Sequence, residues 1–182
     1  MVIAEKMPLS EGMIGFGTRK YPELEDNTEL IYGYLNSKMK VAIPPKFDCI
    51  WNFINGLAKV KLNKKWGFIN QDDFQVIPII YDATENLPGH EMLKVCLSNQ
   101  WGFVDWQNQP IIEPAYDWIS NFHNGLAIVK RSDKYGAIDL ENQLRIPLKF
   151  EHLNPFFGSL TQGILNGGTV FVDLKGTIVD KK

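Results

Sequence analysis

With 182 residues and 45% hydrophobic content, the chain has material for one repeat array or one to two small domains, and it is too apolar to be disordered. Its 19 basic and 21 acidic residues leave a net charge of −2. The two signs are interspersed without a basic stripe, so neither a nucleic-acid partner nor a phosphate-backbone contact is expected. Cys49 and Cys96 stand alone, too few for a disulfide framework; they read as small hydrophobes and suit a reducing cytoplasm. Residues 1–9 hold Glu5 and Lys6 and no long apolar run, and no segment approaches the roughly 18 apolar residues of a membrane span. A cytoplasmic protein without a membrane partner is the expectation.

In chain order, the first motif is Gly12-Met13-Ile14-Gly15-Phe16-Gly17. It lacks the following Lys-Ser/Thr and helix of a phosphate loop. Next comes an acidic stretch, Pro22-Glu23-Leu24-Glu25-Asp26-Asn27, inside residues 17–29. Met13 to Tyr32 spans 19 residues where the equivalent Leu57 to Trp66 spans 9, so about ten residues are inserted here. The insertion reads as an exposed acidic loop or an N-terminal cap.

From Tyr32 onward one block recurs. Tyr32-Gly33-Tyr34-Leu35-Asn36 returns as Trp66-Gly67-Phe68-Ile69-Asn70, Trp101-Gly102-Phe103-Val104-Asp105 and Tyr135-Gly136-Ala137-Ile138-Asp139, with a worn copy at Thr169-Val170-Phe171-Val172-Asp173. The steps are 34, 35, 34 and 34 residues. A constant period of this size means stacked copies of one supersecondary unit. Flanking columns keep the same register: Ile43-Pro44, Ile77-Pro78, Ile112-Glu113-Pro114 and Ile146-Pro147 follow each block, and Asn55-Gly56-Leu57-Ala58 matches Asn124-Gly125-Leu126-Ala127.

Residues 57–91 serve as the type unit. Leu57–Leu62 and Trp66–Asn70 are strands around a polar turn, and Phe74–Ile79 is a third strand after the turn Asn70–Asp73. The turn opens on Asn or Asp and places Asp, Asn or Gly three residues later, the chemistry of a type I turn closed by a left-handed residue. In the first copy Met39 breaks that rule, so a different turn is expected there. The remaining loop reads as irregular, with room for one helical turn. The glycine of the block lies inside a strand, which favours close approach of another backbone over an unusual backbone angle. Leu35, Ile69, Val104, Ile138 and Val172 are apolar in every copy and should face a core. Trp66 and Trp101 obey the repeat and are expected to be core residues as well.

These residues resemble the WG-containing (KWG) repeat family over roughly residues 30 to 180. Lys65-Trp66-Gly67-Phe68-Ile69-Asn70 and Gln100-Trp101-Gly102-Phe103-Val104-Asp105 are close to its core motif. The resemblance implies a β-rich repeat with a binding role and no assigned reaction. The expected fold is therefore an all-β, single domain over 1–182: tandem 34–35-residue repeats of short antiparallel strands, four to five copies in an open twisted array, with a closed toroidal or propeller-like arrangement as the alternative.

No metal-ligand spacing, catalytic residue, cofactor motif or nucleophile elbow is present: His90, His123 and His152 are isolated, and HExxH, CxxC and Gly-x-Ser-x-Gly are missing. The Asn36, Asn70, Asp105, Asp139 and Asp173 column reads as turn chemistry, not calcium ligation. Candidate partner-binding residues are those that break the repeat. Trp51, Trp106 and Trp118 are tryptophans where other copies are mostly polar, in loops or turns, and exposed aromatics anchor interfaces. Glu23, Glu25 and Asp26 of the insertion are the second candidate surface. The reading is a non-catalytic module with a protein partner, such as a toxin bound by an immunity-type protein; carbohydrate or cell-wall binding through exposed tryptophans is the alternative.

Overall fold

The computed structural model describes residues 3–23, 29–85 and 90–179, and within them the chain is all-β. It forms two compact units, Met1–Leu97 with Asp105–Gln109, and Ser98–Val104 with Pro110–Lys182.

The recurring element is a four-stranded antiparallel meander with its strands in sequence order. The first unit holds two complete meanders. One is β1 (Ile3–Ser10), β2 (Met13–Arg19), β3 (Leu30–Asn36) and β4 (Val41–Phe47). The other is β5 (Cys49–Ile50), β6 (Ala58–Leu62), β7 (Lys65–Ile69) and β8 (Gln75–Tyr81). The same unit contains the pair β9 (Ala83–Glu85) and β10 (Leu93–Leu97). In the second unit β11 (Gln100–Val104) pairs with β12 (Pro110–Tyr116). Two complete meanders follow: β13 (Trp118–Ile119), β14 (Ala127–Arg131), β15 (Lys134–Ile138) and β16 (Leu144–Phe150), then β17 (His152–Leu153), β18 (Leu160–Leu165), β19 (Gly168–Asp173) and β20 (Ile178–Val179).

Three strands per copy match the reading of the type unit; the fourth does not. The loop expected to be irregular contributes β5, β9, β13 and β17, each two or three residues long. Two residues are too few to show alternation, so the period-2 signal had nothing to act on. No helical turn occurs among the described residues. Instead, isolated bridges Ile54↔Leu57, His123↔Leu126 and Phe157↔Leu160 close the loops. The inserted residues lengthen the β2–β3 hairpin, whose pairing runs from Met13↔Asn36 to Arg19↔Leu30.

Each aromatic-Gly block lies opposite a bulge. Between the pairs Trp66↔Tyr81 and Phe68↔Ile77, β7 advances two residues while β8 advances four. The same shift separates Tyr32↔Phe47 from Tyr34↔Ile43, Trp101↔Tyr116 from Phe103↔Ile112, and Tyr135↔Phe150 from Ala137↔Ile146. The extra residues curl over the glycine. A Cβ on Gly67 would stand 2.6 Å from the Ile77 carbonyl oxygen and 2.7 Å from that of Pro78; on Gly136 it would stand 2.5 Å from the Ile146 oxygen. Gly33 and Gly102 meet the Ile43 and Ile112 oxygens in the same way. None of these glycines has positive φ, so close approach is the reason for them, as the strand position suggested. Pro44, Pro78, Pro114 and Pro147 lie in the curled stretch, where no ladder N–H is needed.

Turn chemistry repeats with equal fidelity. Asn36, Asn70, Asp105, Asp139 and Asp173 each accept two backbone N–H groups with Oδ1, two and four residues on. The thermodynamic sign is visible at Asp173, where the Thr177 N–H leads in holding the carboxyl below its usual range. The left-handed residue follows at Asp73, Asn108, Asn142 and Gly176. Met39 adopts it too, at φ 61°, so the first turn is the same turn despite an unsuited side chain.

The cores lie between adjacent copies. Met13, Tyr34, Ile43, Phe47, Phe53, Val60 and Ile69 form one cluster, and Leu126, Ile128, Ile146, Phe150, Leu153 and Val172 another. Each cluster draws on two copies, so a single meander has no complete core. Leu35, Ile69, Val104, Ile138 and Val172 are all buried, as their column requires. Trp66 and Trp101 are only half-buried, which corrects the expectation that they are core. Phe68 and Phe103, two residues on, occupy the interior.

Two outcomes are expected. Gly67→Ala should cost about 1–3 kcal/mol, the range of an overpacked interior. Gly168→Ala, whose Cβ would stand 3.5 Å from the Leu165 carbonyl oxygen, should stay within about 0.5 kcal/mol. Urea midpoints compare them directly, and equal losses would contradict the close-approach account. Met39→Asn should gain about 1 kcal/mol, because Asn tolerates the left-handed region that strains Met.

Candidate functional site

The second unit contains a cleft of about 470 Å³. Its walls are three aromatic rings in a row: Trp118, Tyr135 and His152. Trp118 and Tyr135 have ring centroids 6.4 Å apart, and Tyr135 and His152 5.2 Å apart. β13 places Trp118 directly opposite Lys130 of β14; β15 supplies Tyr135; β17 supplies His152. Leu153 and Pro155 complete the apolar lining.

The repeat explains why these rings meet. Trp118 and His152 occupy the same column, filled elsewhere by Cys49 and Ala83. Here two large side chains flank the aromatic of an intervening block, and that aromatic is Tyr135, smaller than the indole at Trp66 and Trp101. Large flanks around a smaller centre leave an open groove.

The polar rim is fixed by hydrogen bonds. His152 Nε2 lies 2.9 Å from Asn154 Oδ1. Asp117 Oδ2 accepts the Ser132 N–H at 2.8 Å, tying the rim to the β14–β15 turn. Lys130 Nζ pairs with Asp133 at 2.8 Å and stands 5.9 Å from the Tyr135 ring centre. The bond to Asp133 holds the Lys130 ammonium pKa above its ordinary value, and the same bond holds Asp133 below its own. An apolar groove with a bonded polar rim can seat a flat or apolar group and orient it by its polar edge.

Each tryptophan singled out by the sequence has its own setting. Trp118 is 37% exposed and forms the cleft wall. Trp51 is 42% exposed, with Lys59 Nζ 4.6 Å from its ring centre. Trp106 is half-buried: its ring meets Phe68 edge-on at 5.3 Å, and its Nε1–H donates to the His90 carbonyl at 2.7 Å. Trp106 thereby joins a turn to the block of the preceding copy. Glu23 is exposed, while Glu25 and Asp26 lie outside the described residues. Sequence reasoning passed over Tyr135 and His152, one as a block aromatic and one as an isolated histidine. The signal available for His152 was its column, shared with Trp118.

Other columns prove structural. Tyr81 and Tyr116 donate through Oη to Asn108 and Asn142, the left-handed turn residues of the next copy, at 2.6 and 2.8 Å. Lys46 reaches Asp73 at the equivalent place. Glu151 Oε1 accepts the Gly167 N–H as Asp117 accepts that of Ser132. Cys49 and Cys96 are free thiols. Among the described residues, no three His, Cys, Asp or Glu side chains gather as metal ligands would.

The family model described as WG containing repeat matches the chain at residues 32–66, 66–91, 101–135 and 135–161, more than half of it. The chain belongs to the WG-containing repeat family. No curated protein matches it. Among solved structures, this WG-repeat chain is similar to Kluyveromyces lactis Hsv2p, at 12% identity and a TM-score of 0.43, covering 98% of the chain and 62% of Hsv2p. A version of the Kluyveromyces lactis protein with loop 6CD replaced by a Gly-Ser linker gives 13% identity, a TM-score of 0.46 and coverage of 93% and 62%. The AfRom2 CNH domain gives 10%, 0.34, 96% and 62%. The WG-repeat chain thus spans less than two thirds of each of these structures.

The settings of the tryptophans separate their variants. Trp106→Ala should destabilise by about 2 kcal/mol, since it removes a half-buried ring and a hydrogen bond. Trp118→Ala should stay within about 1 kcal/mol, as an exposed wall residue does. Melting temperatures of the two variants at equal concentration test the order, and a larger loss for Trp118 would contradict it.

Proposed function

We propose that the chain is a non-catalytic repeat module that binds a protein partner, with the Trp118–Tyr135–His152 cleft as its anchor pocket. The carrying observation is the cleft itself, an exposed tryptophan beside two further rings with a polar rim already bonded in place. Anchoring aromatics in concave, partly desolvated positions dominate protein interfaces. A rigid repeat scaffold holds such a pocket at little entropic cost on binding.

The sharper form of this reading is an immunity-type protein of the bacterial cytoplasm that caps a toxin. Stoichiometric inhibition of a toxin's activity, lost in Trp118→Ala, would support it. The acidic insertion with Glu23, Glu25 and Asp26 is the second candidate contact for such a partner.

One observation favours a second reading. Sugars stack on tryptophan and tyrosine faces, donate hydroxyl hydrogen bonds to Asp and exchange them with Asn and His, and Asp117, Asn154 and His152 stand beside these rings. Carbohydrate or cell-wall binding would use the same cleft.

Retention from native extract on the immobilised chain distinguishes the two. A copurifying protein whose affinity falls by about 2 kcal/mol in Trp118→Ala, the effect of an aromatic anchor, supports the protein-binding reading. Retention of glycans alone supports the second. An affinity unchanged by Trp118→Ala would remove the cleft from both.

A further inference from the structure

The β6–β7 hairpin carries one sign of charge. Residues 55–69 contain Lys59, Lys61, Lys64 and Lys65 and no Asp or Glu, in a chain of net charge −2. The corresponding residues 90–104 and 124–138 are mixed, with Glu91 and Asp133 among their lysines. Lys59 stands between two indoles, and Lys61 packs against one of them. Lys59 Nζ lies 4.6 Å from the Trp51 ring centre and 4.5 Å from that of Trp66, and Lys61 Nζ lies 5.1 Å from Trp66. The order is Trp51, Lys59, Trp66, Lys61.

Lys59 is 7% exposed and donates to the Thr84 carbonyl at 2.7 Å. Among the described residues, neither Lys59 nor Lys61 has a carboxylate at ion-pair distance. The nearby acids are engaged elsewhere: Glu85 with Lys94, Asp82 with Lys65, and Asp48 with the Lys64 N–H. The Thr84 hydroxyl is buried without a hydrogen-bond partner among the described residues. A buried ammonium without a counter-ion opposes folding, and burial leads in pushing the Lys59 pKa down. The same column holds Lys94, buried but paired with Glu85, and Ile128 at 1% exposure, so packing accepts hydrocarbon there and Lys59 differs from Lys94 in lacking a paired carboxylate.

What the lysine does is occupy the inner face of an exposed tryptophan. Trp51 is fixed: its carbonyl accepts Tyr34 Oη–H at 2.6 Å, its N–H donates to the Lys59 carbonyl at 2.9 Å, and its ring meets Trp66 at 6.4 Å. A cation within about 6 Å of an indole face is attracted by the ring quadrupole, and Lys59 holds Trp51 in this way from the protein side. The outer face of Trp51 is open to an apolar or aromatic group, and the positive charge of the neighbouring lysines favours an acidic one beside it. Lys61 and the exposed Lys64 extend the same preference along the hairpin.

We infer that Trp51 and the β6–β7 hairpin form a docking surface for an acidic, aromatic-bearing segment of a protein partner. The inference takes its class of partner from the protein-binding reading but rests on residues outside the Trp118 cleft. Phosphate-tracking nucleic acid fits less well, because Lys59 is buried and Lys65 is already paired.

The test is calorimetry on the full chain with three probes: a glutamate–tyrosine random copolymer, a lysine–tyrosine random copolymer and oligothymidylate. The glutamate–tyrosine copolymer should bind and the other two should not. Its affinity should fall about tenfold, or roughly 1.4 kcal/mol, in Trp51→Ala and in Lys61→Gln, and remain unchanged in Trp118→Ala. Lys59→Ile should fold, as Ile128 does in its column, and should weaken the preference for the acidic probe. Circular dichroism checks each variant, and if Trp51→Ala fails to fold, Lys61→Gln and Lys59→Ile decide. Absence of binding, equal binding of the lysine copolymer or of oligothymidylate, or unchanged affinity in Lys61→Gln would overturn the inference. Loss confined to Trp118→Ala would place the acidic probe in the cleft, overturning this surface while leaving the cleft reading intact.

Discussion

Four glycines without side chains hold this molecule's pattern in place. At Gly33, Gly67, Gly102 and Gly136 the fourth strand of the meander folds a carbonyl oxygen into the space a Cβ would fill. Every further feature of the copy depends on that approach. The bulge realigns the fourth strand so that Ile43, Ile77, Ile112 and Ile146 face inward, all with no exposed surface. It also carries the chain toward the short strand that opens the next meander. In the last copy Val170 stands at the glycine position, and the described part of β20 pairs only with Phe171 and Val172.

Copies are then joined by small, repeated contacts. A left-handed turn residue meets the aromatic of the preceding copy, as in Tyr81–Asn108 and Tyr116–Asn142. An acid at the start of a short strand receives a turn N–H, as in Asp117–Ser132 and Glu151–Gly167. Each bond contributes on the order of 1 kcal/mol, but repetition fixes spacing. The candidate surfaces are shaped by side chains that depart from the columns. Trp118 and His152 around Tyr135 open a cleft; Trp51 stands over Lys59 where other copies carry Glu85, Ser120 and Asn154. In each case the scaffold supplies position and the exceptional side chain supplies chemistry.

Much of the scaffold was legible because it is local and repeated. The Asn36-to-Asp173 column bonds its own turns, and a turn needs only four or five residues to declare itself. The Leu35-to-Val172 column is buried because five copies average away the noise of any one strand. Burial depth was less legible: alternation says which face a residue takes, not how much of that face is covered, so Trp66 and Trp101 looked like core and are half-buried. The two-residue strands left no periodic trace. Met39 showed that geometry inherited from neighbouring copies can override a residue's own preference. The cleft depends on the relative sizes of three side chains from different strands, and only the Trp118 column hinted at it.

The dependence of each copy on its glycine can be read at single-amide resolution. Native-state hydrogen exchange on Gly136→Ala, compared with the parent chain, tests it most directly. The account predicts that protection falls first in β15 and β16 and next in β17 and β18, which share the Ala137–Ile146–Leu153 core, while the β2–β3 hairpin keeps its rates. Unchanged protection across β15 and β16 would mean that the carbonyl of Ile146 can move aside at no cost, and the glycine would not be what holds the copy together.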